Sequence, residues 1–123
     1  KYKCPFELMH CNSTYPMPTE EVNLRVIQTL KKKFKCKVGY SGHEISSYQF
    51  SIIAVVLGAT SIERHITLNR AMYGSDQPAS LEKAGLRRMI RDVRIIDKAL
   101  GDGKKRVWDS ELPIQKKLRE ILS

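Results

Sequence analysis

One pattern occurs three times in this chain, and it limits the fold more than any single residue does. A short β-like run is followed by a polar loop, then by a stretch whose apolar residues recur at helical spacing. The first run, residues 6–11, breaks at Asn12, Ser13, Thr14, Tyr15 and Pro16. A helix is predicted to start near Thr19, an N-cap residue with Glu20 and Glu21 in the first turn, where the helix dipole favours acids. Leu24, Ile27, Leu30 and Phe34 carry its apolar stripe, and Lys31, Lys32 and Lys33 close its carbonyl end. The second run, residues 37–41, leads through Gly42, His43 and Glu44 into a helix with Phe50, Ile53, Ala54 and Leu57 on one face. That helix stops at Gly58, a suitable C-terminal cap. The third run, residues 61–67, precedes a long loop over 68–79. The helix after it is predicted to be capped by Ser80. It shows Leu86, Met89, Ile90, Val93, Ile96 and Leu100, and ends at Gly101.

Strands alternating with helices, repeated at the size of a βαβ unit, predict an α/β fold with parallel strands and right-handed crossovers. The 123 residues suffice for one domain. Residues 1–101 hold the three units, and 102–123 read as a departing tail. In it, residues 102–106 form a turn, Trp108 serves as an anchor and Pro113 precedes a short basic helix.

Composition narrows the function. At 41% hydrophobic and 28% charged, the chain is globular. No apolar stretch approaches the roughly 18 residues of a membrane span, and the first residues lack a secretory signal, so no membrane association is expected. Cys4, Cys11 and Cys36 make an odd count without a C-x-x-C pair, which argues against a disulfide framework and for a reducing cytoplasm. The net charge of +9 favours anionic partners. Few aromatics interleave with the basic residues and no nucleic-acid motif occurs, so solvated helix faces or a small phosphorylated substrate explain the charge better than nucleic acid does.

In α/β folds, chemistry gathers at the C-terminal ends of strands and in the loops that follow. Alternation puts Gly39, Ser41 and His43 on one face of the second strand, if extended geometry lasts that far. On the third strand it puts Glu63, His65 and Thr67 on one face and Ile62, Arg64 and Ile66 on the other. A polar Glu63-His65-Thr67 face suits an active site better than a packed core. Adjacent strands would bring His43 and His65 to one mouth, where two imidazoles can hold a divalent metal; two unrelated histidines are the other reading. Asp76 reads as a turn carboxylate or as a group folding over a pocket. Tyr15 reads as a loop anchor or a contact, and Cys11 as packing.

Several segments together resemble the sialic acid (N-acetylneuraminate) synthase family. They are residues 10–16, 22–25, 38–44, 57–59, 63–68, 74–77 and 79–82, in the family's order and spacing across roughly residues 6 to 113. The resemblance implies the last three βα units of a (β/α)8 TIM barrel, with helices on the outer face and the tail leading toward an antifreeze-like domain. It implies a transferase that condenses phosphoenolpyruvate with an N-acetylated amino sugar similar to N-acetylmannosamine, giving a sialic acid and phosphate. The enol carbon attacks the open-chain aldehyde, water adds at the enolpyruvyl C2, and phosphate leaves by C–O cleavage.

By the same resemblance, His43 and His65 ligate the catalytic metal. Manganese is expected, with magnesium or cobalt as alternatives. Ser41 and the Ser13 region hold phosphoenolpyruvate, and Asp76 and Tyr15 contact the sugar. Protonating either imidazole would release the metal, so activity should fall as pH drops through the histidine range. Many bacterial members carry aspartate where this chain has Gly42 and threonine where it has Glu44. Some carry asparagine at Ser13.

A sister synthase making pseudaminic or legionaminic acid is the alternative within enzymes. The family's first five units and its antifreeze-like domain lie outside these 123 residues. The chain alone is therefore expected to be inactive, and the parent enzyme to be a homodimer. A non-catalytic α/β module that self-associates through unpaired strand edges is the reading from a different class.

Overall fold

The computed structural model describes residues 3–15, 17–45 and 48–120. Strands β1 (Glu7–Cys11), β2 (Lys37–Gly42) and β3 (Ile62–Arg64) form one parallel sheet in that order. Helix α1 (Val26–Phe34) connects β1 to β2, α2 (Gln49–Val56) connects β2 to β3, and α3 (Lys83–Leu100) follows β3. The alternating α/β order read from the sequence is the order observed.

Strand alternation gives β2 two different faces. Val38 and Tyr40 enter a core with Ile27 of α1, Ala54 of α2, Met17 and Val22, and Leu8 and Ile62 pack on it from the flanking strands. Gly39 lies on the opposite face, where a Cβ would collide with Ser61 Oγ and Met9 Sδ. Side chains from β1 and from the residue just before β3 therefore cross over β2 there. The register sets Cys11 beside Ser41 and Ser41 beside Glu63, so polar groups line up across the sheet at its C-terminal end.

Three expectations about element ends need correction. Thr19 opens only a 3-10 turn, Thr19–Glu21, and α1 begins at Val26. Between them Asn23 has φ of 39°, a left-handed conformation that asparagine tolerates and that ends a right-handed helix. The third strand pairs over three residues, not seven; its extension is carried by a separate bridge between Ile66 and Leu81. The N-cap of α3 is Glu82, while the Ser80 hydroxyl donates to the Asp76 carbonyl at 2.8 Å.

Helix ends at Gly58 and Gly101 fall as expected, both with positive φ. Lys31 reaches from α1 to the Gly58 carbonyl at 2.7 Å, and the Tyr48 hydroxyl donates to Asp92 at 3.0 Å, tying α2 to α3.

The segment after Gly101 ends in α4 (Leu112–Glu120), with Pro113 inside the first turn rather than before it. Trp108 does not anchor this tail to the sheet: it is 59% exposed and stacks under the Arg106 guanidinium, 5.1 Å away. No helix of the described residues is long and apolar enough to cross a membrane.

Candidate active site

β2 and β3 each deliver a histidine one residue beyond their last paired position, His43 after Gly42 and His65 after Arg64. Backbone bonds keep both extended. The His43 carbonyl accepts from Met17 N–H at 3.4 Å, and the His65 carbonyl accepts from Leu81 N–H at 2.8 Å. The rings meet edge to face, with centroids 5.2 Å apart. Strand alternation thus brings to one mouth the two imidazoles that the sequence singled out.

Each ring has its Nδ1 committed on the protein side. His43 Nδ1 lies 2.7 Å from the Asn12 carbonyl, which can only accept, so Nδ1 carries the proton and Nε2 is the acceptor nitrogen. An Asx-turn fixes that carbonyl, because Asn12 Oδ1 accepts from Thr14 N–H at 2.8 Å. His65 Nδ1 faces Asp76 Oδ2 at 3.5 Å. Hydrogen bonding on Nδ1 is how metal-binding histidines are usually oriented, with Nε2 presented to the ion.

Tyr15 closes the cluster. Its ring centroid lies 4.3 Å from that of His43 and 5.7 Å from that of His65, and its hydroxyl lies 3.0 Å from His43 Nε2. Partial desolvation, then the charges of Asp76, Cys11 and Glu63, push the Tyr15 hydroxyl above its ordinary range. The phenol is therefore the donor and His43 Nε2 the acceptor. Cys11 Sγ stands 3.9 Å from His43 Nδ1.

Ser41 is buried, and its hydroxyl donates to Glu63 Oε1 at 2.7 Å, so the two polar positions on this face are coupled. Ser13 is exposed on the loop that carries Asn12 and Tyr15. His10, the third histidine, stands apart, with Nε2 2.7 Å from the Val22 carbonyl.

The two imidazoles are nitrogen donors of the kind that suit a divalent transition ion, and their rings meet at one mouth. Among the described residues no group of three or more His, Cys, Asp or Glu surrounds a common point, so any further ligands to such an ion would come from water, substrate or elsewhere. Sequence reasoning missed the Asn12 carbonyl as the His43 partner, since a backbone contact across 31 positions leaves no local signal. It also missed what Glu44 and Arg64 do on the other face of the sheet.

The parallel βα architecture with polar groups at the strand C-termini defines an α/β protein with an enzyme-like site. Residues 2–105 match the model of the NeuB family, and the chain belongs to that family. It is 47% identical over 104 residues to the N,N'-diacetyllegionaminic acid synthase of Campylobacter jejuni, covering 85% of this chain and 31% of that protein. It is 44% identical over 114 residues to the human N-acetylneuraminate-9-phosphate synthase, covering 92% of this chain and 32% of that one. The chain thus spans about a third of the length of these curated relatives. Among solved structures, the N-acetylneuraminic acid synthetase of Leptospira borgpetersenii, in complex with citrate, superposes with a TM-score of 0.77 at 38% identity. That match covers 98% of this chain and 41% of the solved one.

Proposed function

We propose that this chain supplies the metal-binding wall of a phosphoenolpyruvate-dependent synthase that makes a sialic acid or a closely related nonulosonic acid. The observation that carries the reading is the His43–His65 pair, ring centroids 5.2 Å apart, with the Asn12 carbonyl leaving Nε2 of His43 as its acceptor nitrogen, covered by the Tyr15 hydroxyl. In this reading residues 1–101 are the last three βα units of a (β/α)8 barrel and residues 102–123 lead out of it. The substrates are phosphoenolpyruvate and an N-acetylated hexosamine.

The residues divide the work by their chemistry. His43 and His65 would hold the ion through Nε2, with manganese favoured because imidazole suits it better than it suits calcium. When bound, the ion supplies Lewis acidity that polarises the sugar aldehyde. Asp76 holds the His65 ring and keeps an exposed carboxylate edge for sugar hydroxyls. The Tyr15 phenol, a donor resting on His43, is placed to turn toward the acetamido group. Ser41 and Glu63 form a fixed polar pair beside the mouth, and Ser41 with Ser13 faces the phosphoenolpyruvate end.

Relatives named for legionaminic acid and for N-acetylneuraminate-9-phosphate match at nearly equal identity. The sugar is therefore proposed as a class: N-acetylmannosamine-like or a legionaminic or pseudaminic precursor. A full-length synthase carrying this sequence, given manganese, phosphoenolpyruvate and a panel of N-acetylated hexosamines, should release inorganic phosphate and form a nine-carbon keto acid. Absence of both products across the panel would refute the assignment. The 123 residues alone are expected to form none.

A further inference from the structure

Behind the two histidines, on the helix-facing side of the sheet, lies a buried polar cluster that the proposed chemistry does not use. Arg64 Nη1 donates to Glu44 Oε1, and the two side chains are 1% and 4% exposed. Arg64 Nη2 donates to the carbonyls of Glu44 at 3.2 Å and Ala79 at 3.3 Å. The Tyr40 hydroxyl donates to the other oxygen, Glu44 Oε2, at 3.0 Å. Gly42 makes room: a Cβ there would come within 2.6 Å of Glu44 Oε2 and 2.8 Å of both Arg64 Nη1 and the Tyr40 ring.

The connectivity of this cluster is what matters. Glu44 directly follows His43, and Arg64 directly precedes His65. The Ala79 carbonyl belongs to the end of the loop that brings Asp76 to His65. One guanidinium therefore links three backbone segments, each of which carries a member of the proposed metal site. Alternation sends the ion pair to one face and the imidazoles to the other, so each ring shares its backbone segment with a member of the pair behind it. Burial of an ion pair is poor evidence for a stabilising role, because an apolar pair of similar volume is often as stable. Fixing geometry is the role that a planar, many-donor guanidinium performs and an apolar pair does not.

We infer that Glu44, Arg64 and Tyr40 are positioning residues, which set the separation and orientation of His43 and His65 from behind the sheet, with Gly42 as the clearance they require. This rests on the metal reading for its purpose, but its geometry can be tested without metal. The double variant Glu44→Leu/Arg64→Met removes the cluster while keeping an apolar filling. Imidazole nitrogen NMR of the metal-free chain reads the His43 tautomer and hydrogen bond directly. Circular dichroism and a denaturant midpoint confirm folding. The expected result is a folded chain in which the His43 and His65 nitrogen signals shift and the Nδ1-protonated form of His43 is no longer exclusive. The core variant Val38→Ala, destabilised without touching the cluster, should leave those signals in place.

Manganese affinity, measured alongside, should fall about tenfold or more in the double variant, the usual effect of disturbing groups that orient ligands. If the double variant does not fold, Glu44→Gln, which keeps the shape and loses the charge, serves in its place with the same expected shift. Unmoved His43 and His65 signals in a folded variant would overturn the inference. If the wild type binds no manganese, the metal reading fails, and the nitrogen signals still decide whether the cluster positions the rings.

Discussion

On the helix-facing side of β2 and β3, Arg64 meets Glu44 with both side chains almost wholly buried. On the opposite side His65 meets Asp76 at 3.5 Å, with the side chains 33% and 52% exposed. The two contacts stand on neighbouring residues of the same strand and differ by the face to which alternation assigns them. Behind the sheet, Arg64 and Glu44 are surrounded by partners and closed to ligands. In front, His43 is also buried, but its ring engages the Asn12 carbonyl and the Tyr15 hydroxyl, and His65 beside it is a third exposed with Nδ1 toward Asp76. The comparison teaches that partners, more than burial, separate the two faces: His43 is as buried as Glu44, yet of the two only Glu44 is neutralised by an opposite charge within the protein, that of Arg64.

Glu44→Ala should break this contrast most severely. It strands the buried Arg64 charge and the Tyr40 hydroxyl, and urea unfolding should show a loss of about 3–5 kcal/mol. A loss under 1 kcal/mol would mean the pair is not buried in solution.

Tyr40 sharpens the comparison in alkali. Burial first, then the Glu44 charge and hydrogen bond, hold its phenol far above the ordinary tyrosine range. A raised folded value means that this stabilisation is full below the unfolded-state value near ~10 and is lost as pH rises toward the folded value. Phenolate absorbance should therefore show one tyrosine that ionises only when the chain unfolds, and Tyr40→Phe should remove that step.

On the open face, effects on stability should be small and effects on ligand larger. Asp76→Asn should weaken manganese binding by about tenfold. Its effect on unfolding should stay within about 0.5 kcal/mol, as suits an exposed contact. The smallest effect belongs to the tail. Trp108→Ala should change stability by less than about 0.5 kcal/mol, checked by thermal melting, because its ring is exposed and lies against the Arg106 side chain.

The strand–helix order could be read from the sequence because each element keeps its own period, two along the strands and near 3.6 along the helices. The start of α1 could not, since the turn at Asn23 depends on Val22 turning into the core. β3 was read too long because alternation continues through Ile66 and Thr67, whereas pairing needs a neighbour. Beyond Arg64 that neighbour is Leu81, which returns from a distant loop.

The histidine pair was legible because both rings follow from strand alternation and adjacency. Its supports were not. The Asn12 carbonyl and Asp76 reach the rings from other loops, and Glu44 reads locally as a turn acid. Only the sheet's register brings Glu44 to Arg64, 20 positions away.

The most direct test of the central claim is a manganese titration of the chain, followed by electron paramagnetic resonance of the free ion, with wild type, His43→Ala and His65→Ala run side by side. The account predicts saturable binding in the wild type that weakens about 100-fold or more in each variant, since a two-ligand site cannot survive the loss of either. Equal binding in all three proteins, or no binding in the wild type, would contradict it.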